Sequence, residues 1–308
     1  MAVNPLAVSL GPLELRSPVL TSSGTWGYGT EQSVFSSYPA LGAFVTKGIT
    51  LLPRAGNPPP RLYETRAGLL NSVGLENVGL ENFVKEKLPA LPQNHPPMLV
   101  NIAGESVEEY VELARALSLE SQVAGLEVNV SCPNKDKGME FGTDPKLVGE
   151  LTEAVRSACP QKLLIVKLTP NVTDISLIAE SACRYGANAL SMINTLVGCA
   201  VDRTRKAPIF HRVYAGLSGP AIKPVALAAV WRTYEALSGE IPLIGMGGIQ
   251  NWEDALEFIL AGATAVSIGT ANFVDPLCCS NLVADLRTYL EKEKILSIKE
   301  LVGQAHGR

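Results

Sequence analysis

The chain has 308 residues, of which 46% are hydrophobic and 18% charged, so it is predicted to be globular and not disordered. Its formal net charge of -4 at pH 7 argues against a nucleic-acid partner. Charged residues interrupt every apolar stretch before it reaches the roughly 20 residues of a membrane helix. The first residues lack the basic flank and apolar core of a signal peptide, so we expect a cytoplasmic protein with no membrane contact.

Eight short apolar segments have the composition of strands that are buried on both faces. These segments are residues 18–22, 43–47, 97–102, 125–130, 163–168, 188–193, 241–246 and 264–269. Helical patterns alternate with them, which indicates a parallel sheet. One more helix and no second domain follow the last strand, so eight repeats favour a closed (β/α)8 barrel over an open doubly wound sheet. We therefore expect residues 1–308 to form a single α/β domain, a TIM barrel.

Local signals predict where some elements begin. Ser106 and Glu109 have the spacing of a helix capping box. Thr173 is expected to begin another helix. The N-terminal residues 5–17 are predicted to form a hairpin that covers the floor of the barrel.

Three segments are longer than a connection between a strand and a helix requires: residues 48–96, 131–143 and 194–220. Each follows the carboxyl end of a predicted strand, which is the face where barrel enzymes build their active sites. Long insertions at this face therefore predict a functional site there, although insertions without a function are the alternative.

Glycines at the ends of the last two predicted strands indicate a phosphate site. The two ends contain Gly247, Gly248, Gly269 and Thr270, and Gly219 ends the nearby long loop. Glycine lets backbone amides approach a phosphate closely, and barrels often bind phosphate after strands seven and eight. We expect a phosphorylated ligand or cofactor here; glycines that serve only as tight turns are the alternative.

Two lysines lie in or at the end of apolar strands, Lys47 in the second and Lys167 in the fifth. A buried ammonium is costly unless it is paired or functional. Each lysine could form a Schiff base with a carbonyl substrate, contact an anionic flavin edge or a carboxylate, or form a structural salt bridge.

Five asparagines lie near strand ends or in the long loops: Asn71, Asn101, Asn129, Asn134 and Asn194. An asparagine offers both a donor and an acceptor, so a set of them suits a planar, amide-rich ring such as a pyrimidine or a flavin. A single asparagine in a loop is usually a turn residue.

Cys132 follows the fourth predicted strand and could be a nucleophile or a general base if the pKa of its thiol is lowered. Taken alone, a cysteine there is more often a small packed residue. The charged loop at residues 135–138 is expected to be a flexible lid. None of the six cysteines forms a CxxC pair, and no metal site is predicted.

Together these motifs resemble the dihydroorotate dehydrogenase family along essentially the whole chain. The matching pieces are GNPPPR at 56–61, LLNSVGLENVG at 69–79, NVSCPN at 129–134, INTLVG at 193–198, GLSGPAIKP at 216–224, IGMGGI at 244–249 and IGTANF at 268–273. SVGLENVG and INTLVG are closest to the NAD-linked class 1B catalytic subunits. The membrane-bound class 2 enzymes carry serine where this chain has Cys132.

The resemblance implies a bound FMN and the oxidation of dihydroorotate to orotate in pyrimidine (UMP) biosynthesis. Cys132 would be the base that removes the C5 proton, while a hydride leaves C6 for the flavin. The implied substrate residues are Lys47, Asn71, Ser72, Val73, Gly74, Leu75, Asn129, Asn194 and Thr195. The implied flavin residues are Ser23, Lys47, Gly48, Asn101, Asn129, Lys167, Ile193, Gly219, Gly247, Gly248, Gly269 and Thr270.

The resemblance also implies a second polypeptide that carries FAD and a [2Fe–2S] cluster and passes electrons to NAD+. A homodimer of catalytic subunits would form the core of a heterotetramer with two such partners. Three other functions stay open: a flavin enzyme resembling dihydropyrimidine dehydrogenase that acts on dihydrouracil or dihydrothymine, a phosphosugar aldolase that uses Lys167 as a Schiff base, and an inactive barrel that only docks a partner.

Overall fold

The computed structural model describes residues 4–31, 40–131, 133–134 and 139–307, with residues 133, 134, 139 and 140 described by their backbone alone. The strands are β1 (Val8–Leu10), β2 (Leu13–Leu15), β3 (Val19–Thr21), β4 (Phe44–Val45), β5 (Leu62–Thr65), β6 (Gly68–Asn71), β7 (Met98–Ile102), β8 (Val123–Asn129), β9 (Pro133–Asn134), β10 (Met139–Glu140), β11 (Leu163–Lys167), β12 (Ala189–Met192), β13 (Leu196–Cys199), β14 (Val201–Asp202), β15 (Ala207–Pro208), β16 (Tyr214–Ser218), β17 (Leu243–Met246) and β18 (Ala265–Ile268). The α-helices are α1 (Gly79–Asn82), α2 (Val107–Ser118), α3 (Pro145–Ala158), α4 (Ile175–Arg184), α5 (Lys223–Ala236), α6 (Trp252–Leu260), α7 (Ala271–Val274) and α8 (Cys278–Glu293). A π-helical turn spans Phe83–Lys87, and 3₁₀ turns span Phe141–Thr143, Pro220–Ile222, Ile298–Leu301 and Gln304–Gly307.

Eight parallel strands form the central sheet, in the order β3-β18-β17-β12-β11-β8-β7-β4. A parallel bridge between Leu20 and Ala43 joins the two outermost strands. The N–H of Gly42 supports this junction by donating to the carbonyl of Val19 at 2.9 Å. The predicted (β/α)8 barrel is therefore confirmed, and each of the eight predicted segments overlaps one barrel strand, although β8 begins two residues earlier than predicted.

Burial of apolar side chains on both sides of the barrel wall stabilises this arrangement. Every residue of β7 and β11 is buried. In α2 the buried residues are Tyr110, Leu113, Ala114 and Leu117, a spacing that presents one helix face to the sheet. Full burial of one large apolar side chain contributes about 1.5–3 kcal/mol, so many such residues offset the entropy of ordering the chain.

The predicted helix starts are only partly correct. The Ser106 hydroxyl accepts from the Glu109 N–H at 3.4 Å, as a cap should, but the Glu109 carboxylate accepts from the N–H of Glu105 and not from that of Ser106. The prediction for Thr173 is wrong by one residue. Asp174 caps α4 and accepts from the Ser176 N–H at 2.9 Å, because a carboxylate is a stronger acceptor beside the positive end of a helix.

The N-terminal hairpin is confirmed as the antiparallel pair β1 and β2. Gly11 forms its turn with φ +53°, and a Cβ at this glycine would lie 2.9 Å from the Cβ of Asn188. Asn188 immediately precedes β12, so the hairpin packs at the amino-terminal end of the barrel strands, as predicted.

The first and third long insertions combine at the opposite end of the barrel. They form one antiparallel sheet with the strand order β13-β16-β6-β5. In this sheet β6 of the first insertion pairs with β16 of the third, with Asn71 opposite Gly216. The second insertion contributes the separate hairpin of β9 and β10. Across the described ranges, no helix combines the length and apolar character needed to cross a membrane.

Gly245 in β17 tests how tightly the wall packs against α6. A Cβ at this position would lie 2.5 Å from Cδ1 of Phe258. Gly245→Ala is therefore expected to lower the free energy of unfolding by about 1–3 kcal/mol through overpacking. The midpoint of urea unfolding measures this change. Gly307→Ala is the matched control, because no atom lies within 4 Å of its Cβ position, and equal midpoints for the two variants would contradict the packing described here.

Candidate active site

The predicted site residues meet at one end of the barrel because the eight strands are parallel. Ser23 follows β3, Lys47 and Gly48 follow β4, Asn101 lies in β7, Asn129 ends β8, Lys167 ends β11, Ile193 and Asn194 follow β12, Gly247 and Gly248 follow β17, and Gly269 and Thr270 follow β18. This is the carboxyl end of the strands, as expected for a barrel enzyme.

Two of the predicted asparagines are hydrogen-bonded to each other. The Nδ2 of Asn194 donates to Oδ1 of Asn129 at 3.1 Å and to Oγ of Ser131 at 2.9 Å. The Oδ1 of Asn194 accepts from the N–H of Thr195 at 2.9 Å. The pair therefore lies beside Ser131, the residue before Cys132. Cys132 itself and the side chain of Asn134 lie outside the described residues.

Asn71 and Thr195 come together where the sheet of insertions meets the barrel. The Nδ2 of Asn71 donates to the carbonyl of Gly216 at 3.1 Å. A Cβ at Gly216 would lie 2.3 Å from Oγ1 of Thr195, so only glycine permits this approach. The side chain of Asn171 supports the same segment, because its Nδ2 donates to the Thr195 carbonyl at 3.1 Å.

Asn57 holds the segment from Ser72 to Leu75 through two hydrogen bonds. The Nδ2 of Asn57 donates to the carbonyl of Ser72 at 3.1 Å, and its N–H donates to the carbonyl of Val73 at 2.9 Å. Gly74 and Leu75 then have φ of +77° and +55°. This left-handed turn brings the predicted substrate loop over the mouth of the barrel. There the Leu75 side chain lies next to the position that a Cβ at Gly48 would occupy.

Lys47 lies at the mouth in a partly exposed ion pair. Its Nζ is 3.6 Å from Oε2 of Glu76, and Nη1 of Arg61 is 2.6 Å from the same oxygen. The Lys47 side chain is 26% exposed and that of Glu76 is 44% exposed. Pairs of this kind contribute only about 0–1 kcal/mol, so Lys47 can exchange Glu76 for an anionic ligand at little cost.

Lys167 has a buried partner that sequence analysis missed. Its Nζ is 3.7 Å from Oε2 of Glu127, and the two side chains are 7% and 2% exposed. The Nδ2 of Asn101 donates to the same oxygen at 2.6 Å. Glu127 stands inside an apolar strand just as Lys167 does, so the argument that singled out the lysine would also have found the carboxylate. Both lysines thus form salt bridges, which was one of their alternative roles.

The glycine-rich strand ends meet as predicted. Gly219, Gly247 and Gly248 have φ of +94°, +129° and +80°, and a Cβ at Gly248 would lie 2.9 Å from the Gly219 carbonyl oxygen. The Thr270 hydroxyl donates to Oγ of Ser218 at 2.8 Å, which joins the end of β18 to the end of β16. At Gly269 the nearest atoms to a Cβ belong to Ser22 and lie at 3.5 Å or more. Three strand ends therefore form one glycine-lined cradle.

Two further predicted flavin residues, Gly48 and Ile193, lie near the mouth. Gly48 is buried, and a Cβ there would lie 3.0 Å from Oδ1 of Asn101. Ile193 is 3% exposed, and its N–H donates to the carbonyl of Met246 at 3.0 Å. Ser23 is half-buried beside Ser22.

A structural asparagine that sequence analysis missed, Asn77, donates to the Leu75 carbonyl at 2.7 Å and so fixes the end of the substrate loop.

The fold and the polar mouth define this chain as a (β/α)8-barrel enzyme. A model of the dihydroorotate dehydrogenase family matches residues 5–290, and the chain belongs to that family. The resemblance seen in the motifs and the predicted oxidoreductase class are thereby confirmed.

Full-length relatives support the same family. The chain is 50% identical to the dihydroorotate dehydrogenase B (NAD(+)) catalytic subunit of Geotalea daltonii, over 98% of this chain and 99% of the relative. It is 51% identical to the protein of the same name from Desulforudis audaxviator, over 97% of each chain. In fold it is similar to the crystal structure of DHODH from Eimeria tenella in complex with ferulenol, with a TM-score of 0.83 and 23% identity over 99% of this chain and 90% of that one.

The described cysteines differ in how reactive their thiols should be. Burial raises the pKa of Cys183 to about 12, whereas Cys199 in β13 is exposed. Because the thiolate is the reacting form, iodoacetamide at pH 8 is expected to label Cys199 well before Cys183. Peptide mass spectrometry of the folded protein measures both rates, and Cys199→Ser identifies the first label. Equal labelling of the two cysteines in the folded protein would contradict the burial of Cys183.

Proposed function

We propose that this chain oxidises dihydroorotate to orotate with a bound FMN, as the catalytic subunit of an NAD+-linked enzyme of pyrimidine biosynthesis. The observation that carries the proposal is that the asparagine pair Asn129–Asn194 and the glycine cradle lie at the same end of the barrel. The relatives named as dihydroorotate dehydrogenase B catalytic subunits support it.

The cradle fits the phosphate of FMN. Gly219, Gly247 and Gly248 adopt φ values that other residues rarely adopt, and a Cβ at Gly248 would fill the space between two strand ends. The residues that would hold the phosphate are Gly219, Gly247, Gly248, Gly269 and Thr270. The residues that would contact the rest of the flavin are Ser23, Lys47, Gly48, Asn101, Asn129, Lys167 and Ile193. FMN supplies the two-electron acceptor that amino-acid side chains lack.

The mouth also offers groups that match each part of dihydroorotate. The ring amides of the substrate need donors and acceptors, which Asn71, Asn129, Asn194 and Thr195 provide. Its carboxylate needs a cation, and Lys47 is held only by a partly exposed pair with Glu76. A cation at this place favours dihydroorotate over dihydrouracil, which has no carboxylate.

The remaining step is the removal of the C5 proton, which we assign to Cys132. This proton is α to a carbonyl and therefore mildly acidic, whereas the C6 hydrogen is not. The segment before Cys132 is anchored, because Ser131 contacts both Asn129 and Asn194. The lid predicted at residues 135–138 lies outside the described residues.

The catalytic subunit is proposed to act with a partner. Residues 1–308 would form one FMN-binding domain in the cytoplasm and pair with a second copy of the chain. Electrons would pass to a subunit that carries FAD and a [2Fe–2S] cluster and then to NAD+. The words "catalytic subunit" and "NAD(+)" in the names of the relatives support this arrangement.

The visible spectrum of the purified chain tests cofactor and substrate together. We expect a flavin spectrum that bleaches when dihydroorotate is added without oxygen, because the two electrons of the substrate reduce the flavin. Dihydrouracil at the same concentration is the control and should leave the spectrum unchanged. Bleaching by dihydrouracil and not by dihydroorotate would make dihydrouracil the substrate. A protein that binds no FMN even after reconstitution would overturn the proposal.

Cys132→Ser tests the base. The variant should retain FMN, while its reduction by dihydroorotate at neutral pH should slow by about 10²- to 10⁴-fold, because a serine hydroxyl ionises to its basic form far less readily than a thiol. Stopped-flow absorbance of the bound flavin measures the rate. Cys199→Ser, a change of the same kind in β13, serves as the control. A Cys132→Ser rate near that of the unmodified protein would remove Cys132 from the mechanism.

A further inference from the structure

Glu127 is an unusual residue for the interior of a barrel. In the described part of the chain, Glu127 and Lys167 are the only charged residues that are buried, at 1% and 6% exposure. A carboxylate taken out of water loses several kcal/mol of hydration, which only close partners can offset. The proposed reaction gives no role to Glu127, so its retention inside the wall needs another explanation.

Every partner of Glu127 is a hydrogen-bond donor. Oε2 accepts from Nδ2 of Asn101 at 2.6 Å and lies 3.7 Å from Nζ of Lys167. Oε1 accepts from the hydroxyl of Ser191 at 2.8 Å. An ionised carboxylate is an acceptor only, so this set of partners matches the charged form.

The strand pairing places Glu127 directly behind the residues proposed to contact the flavin. Asn101 is the register neighbour of Glu127, and Lys167 is the register neighbour of Asn129, two residues further along β8. Residues two apart in a strand point to the same face, so Glu127 lies one layer deeper in the barrel than Asn129. From there its single carboxylate contacts two of the proposed flavin residues, Asn101 and Lys167.

We propose that Glu127 is a positioning residue that orients Lys167 and Asn101 toward the flavin and whose negative charge lowers the electron affinity of that flavin. The inference rests on the proposed function, because it requires bound FMN. Lys167 favours the reduced flavin, which carries negative charge, and the carboxylate 3.7 Å from its ammonium opposes this effect. The Lys167–Glu127 pair thereby sets the reduction potential of the flavin as well as the flavin's position.

Glu127→Gln separates charge from shape, because glutamine keeps the size of the side chain and removes its negative charge. The variant and the unmodified holoprotein are equilibrated with reference dyes of known reduction potential, and the ratio of reduced to oxidised FMN is read from the spectrum. At the same solution potential, set by the reference dyes, we expect the ratio of reduced to oxidised FMN to rise about ten-fold or more in Glu127→Gln. Glu127→Asp retains the charge and should return the ratio toward that of the unmodified protein.

Glu81→Gln is the matched control, because Glu81 is an exposed carboxylate in an ion pair with Lys85 on the surface. Its ratio should equal that of the unmodified protein. An unchanged ratio in Glu127→Gln that has bound FMN would overturn the inference and leave the proposed function intact. Loss of FMN from both the Gln and the Asp variants would also overturn it, since packing and not charge would then decide. If the unmodified protein binds no FMN, the proposed function itself fails.

Discussion

The closed ring of eight parallel strands is the constraint on which the rest of the molecule depends. Parallel pairing directs every strand in one direction, and the bridge between Leu20 and Ala43 joins the first strand to the second. All carboxyl ends then open on one face, so residues as far apart in sequence as Lys47 and Thr270 lie around one mouth. Apolar burial and backbone pairing hold the wall that carries these residues together.

The barrel alone does not complete the site; the two long insertions do so together. The first insertion supplies β6 and the third supplies β16, and these strands pair with Asn71 opposite Gly216. Because Asn71 and Thr195 meet at this junction, neither insertion could present its polar groups without the other. The sheet of insertions thus couples the proposed substrate loop to the segment that carries Asn194.

Charge is distributed unevenly between the mouth and the wall. Lys47 has an exposed partner that it can exchange, whereas Lys167 is fixed to Glu127 in a buried network with Asn101 and Ser191. This difference suits the two tasks that we propose: a ligand that enters and leaves needs an exchangeable cation, and a cofactor that stays needs a fixed one. The buried pair is costly in isolation, but three donors on one carboxylate offset much of that cost.

The sequence by itself determined the barrel, its floor and the family. The signals that led to these predictions are local patterns: apolar segments of strand length, glycines at turns and the motif around Cys132. Each involves only residues that are neighbours in the sequence. Only the tertiary structure decided which side chains meet. The pairing of Glu127 with Lys167 and the joining of the two insertions both depend on contacts between distant parts of the chain that no local pattern records. The physical reason is that the order and register of the strands are set by pairing across the whole sheet, and they decide which donors reach which acceptors.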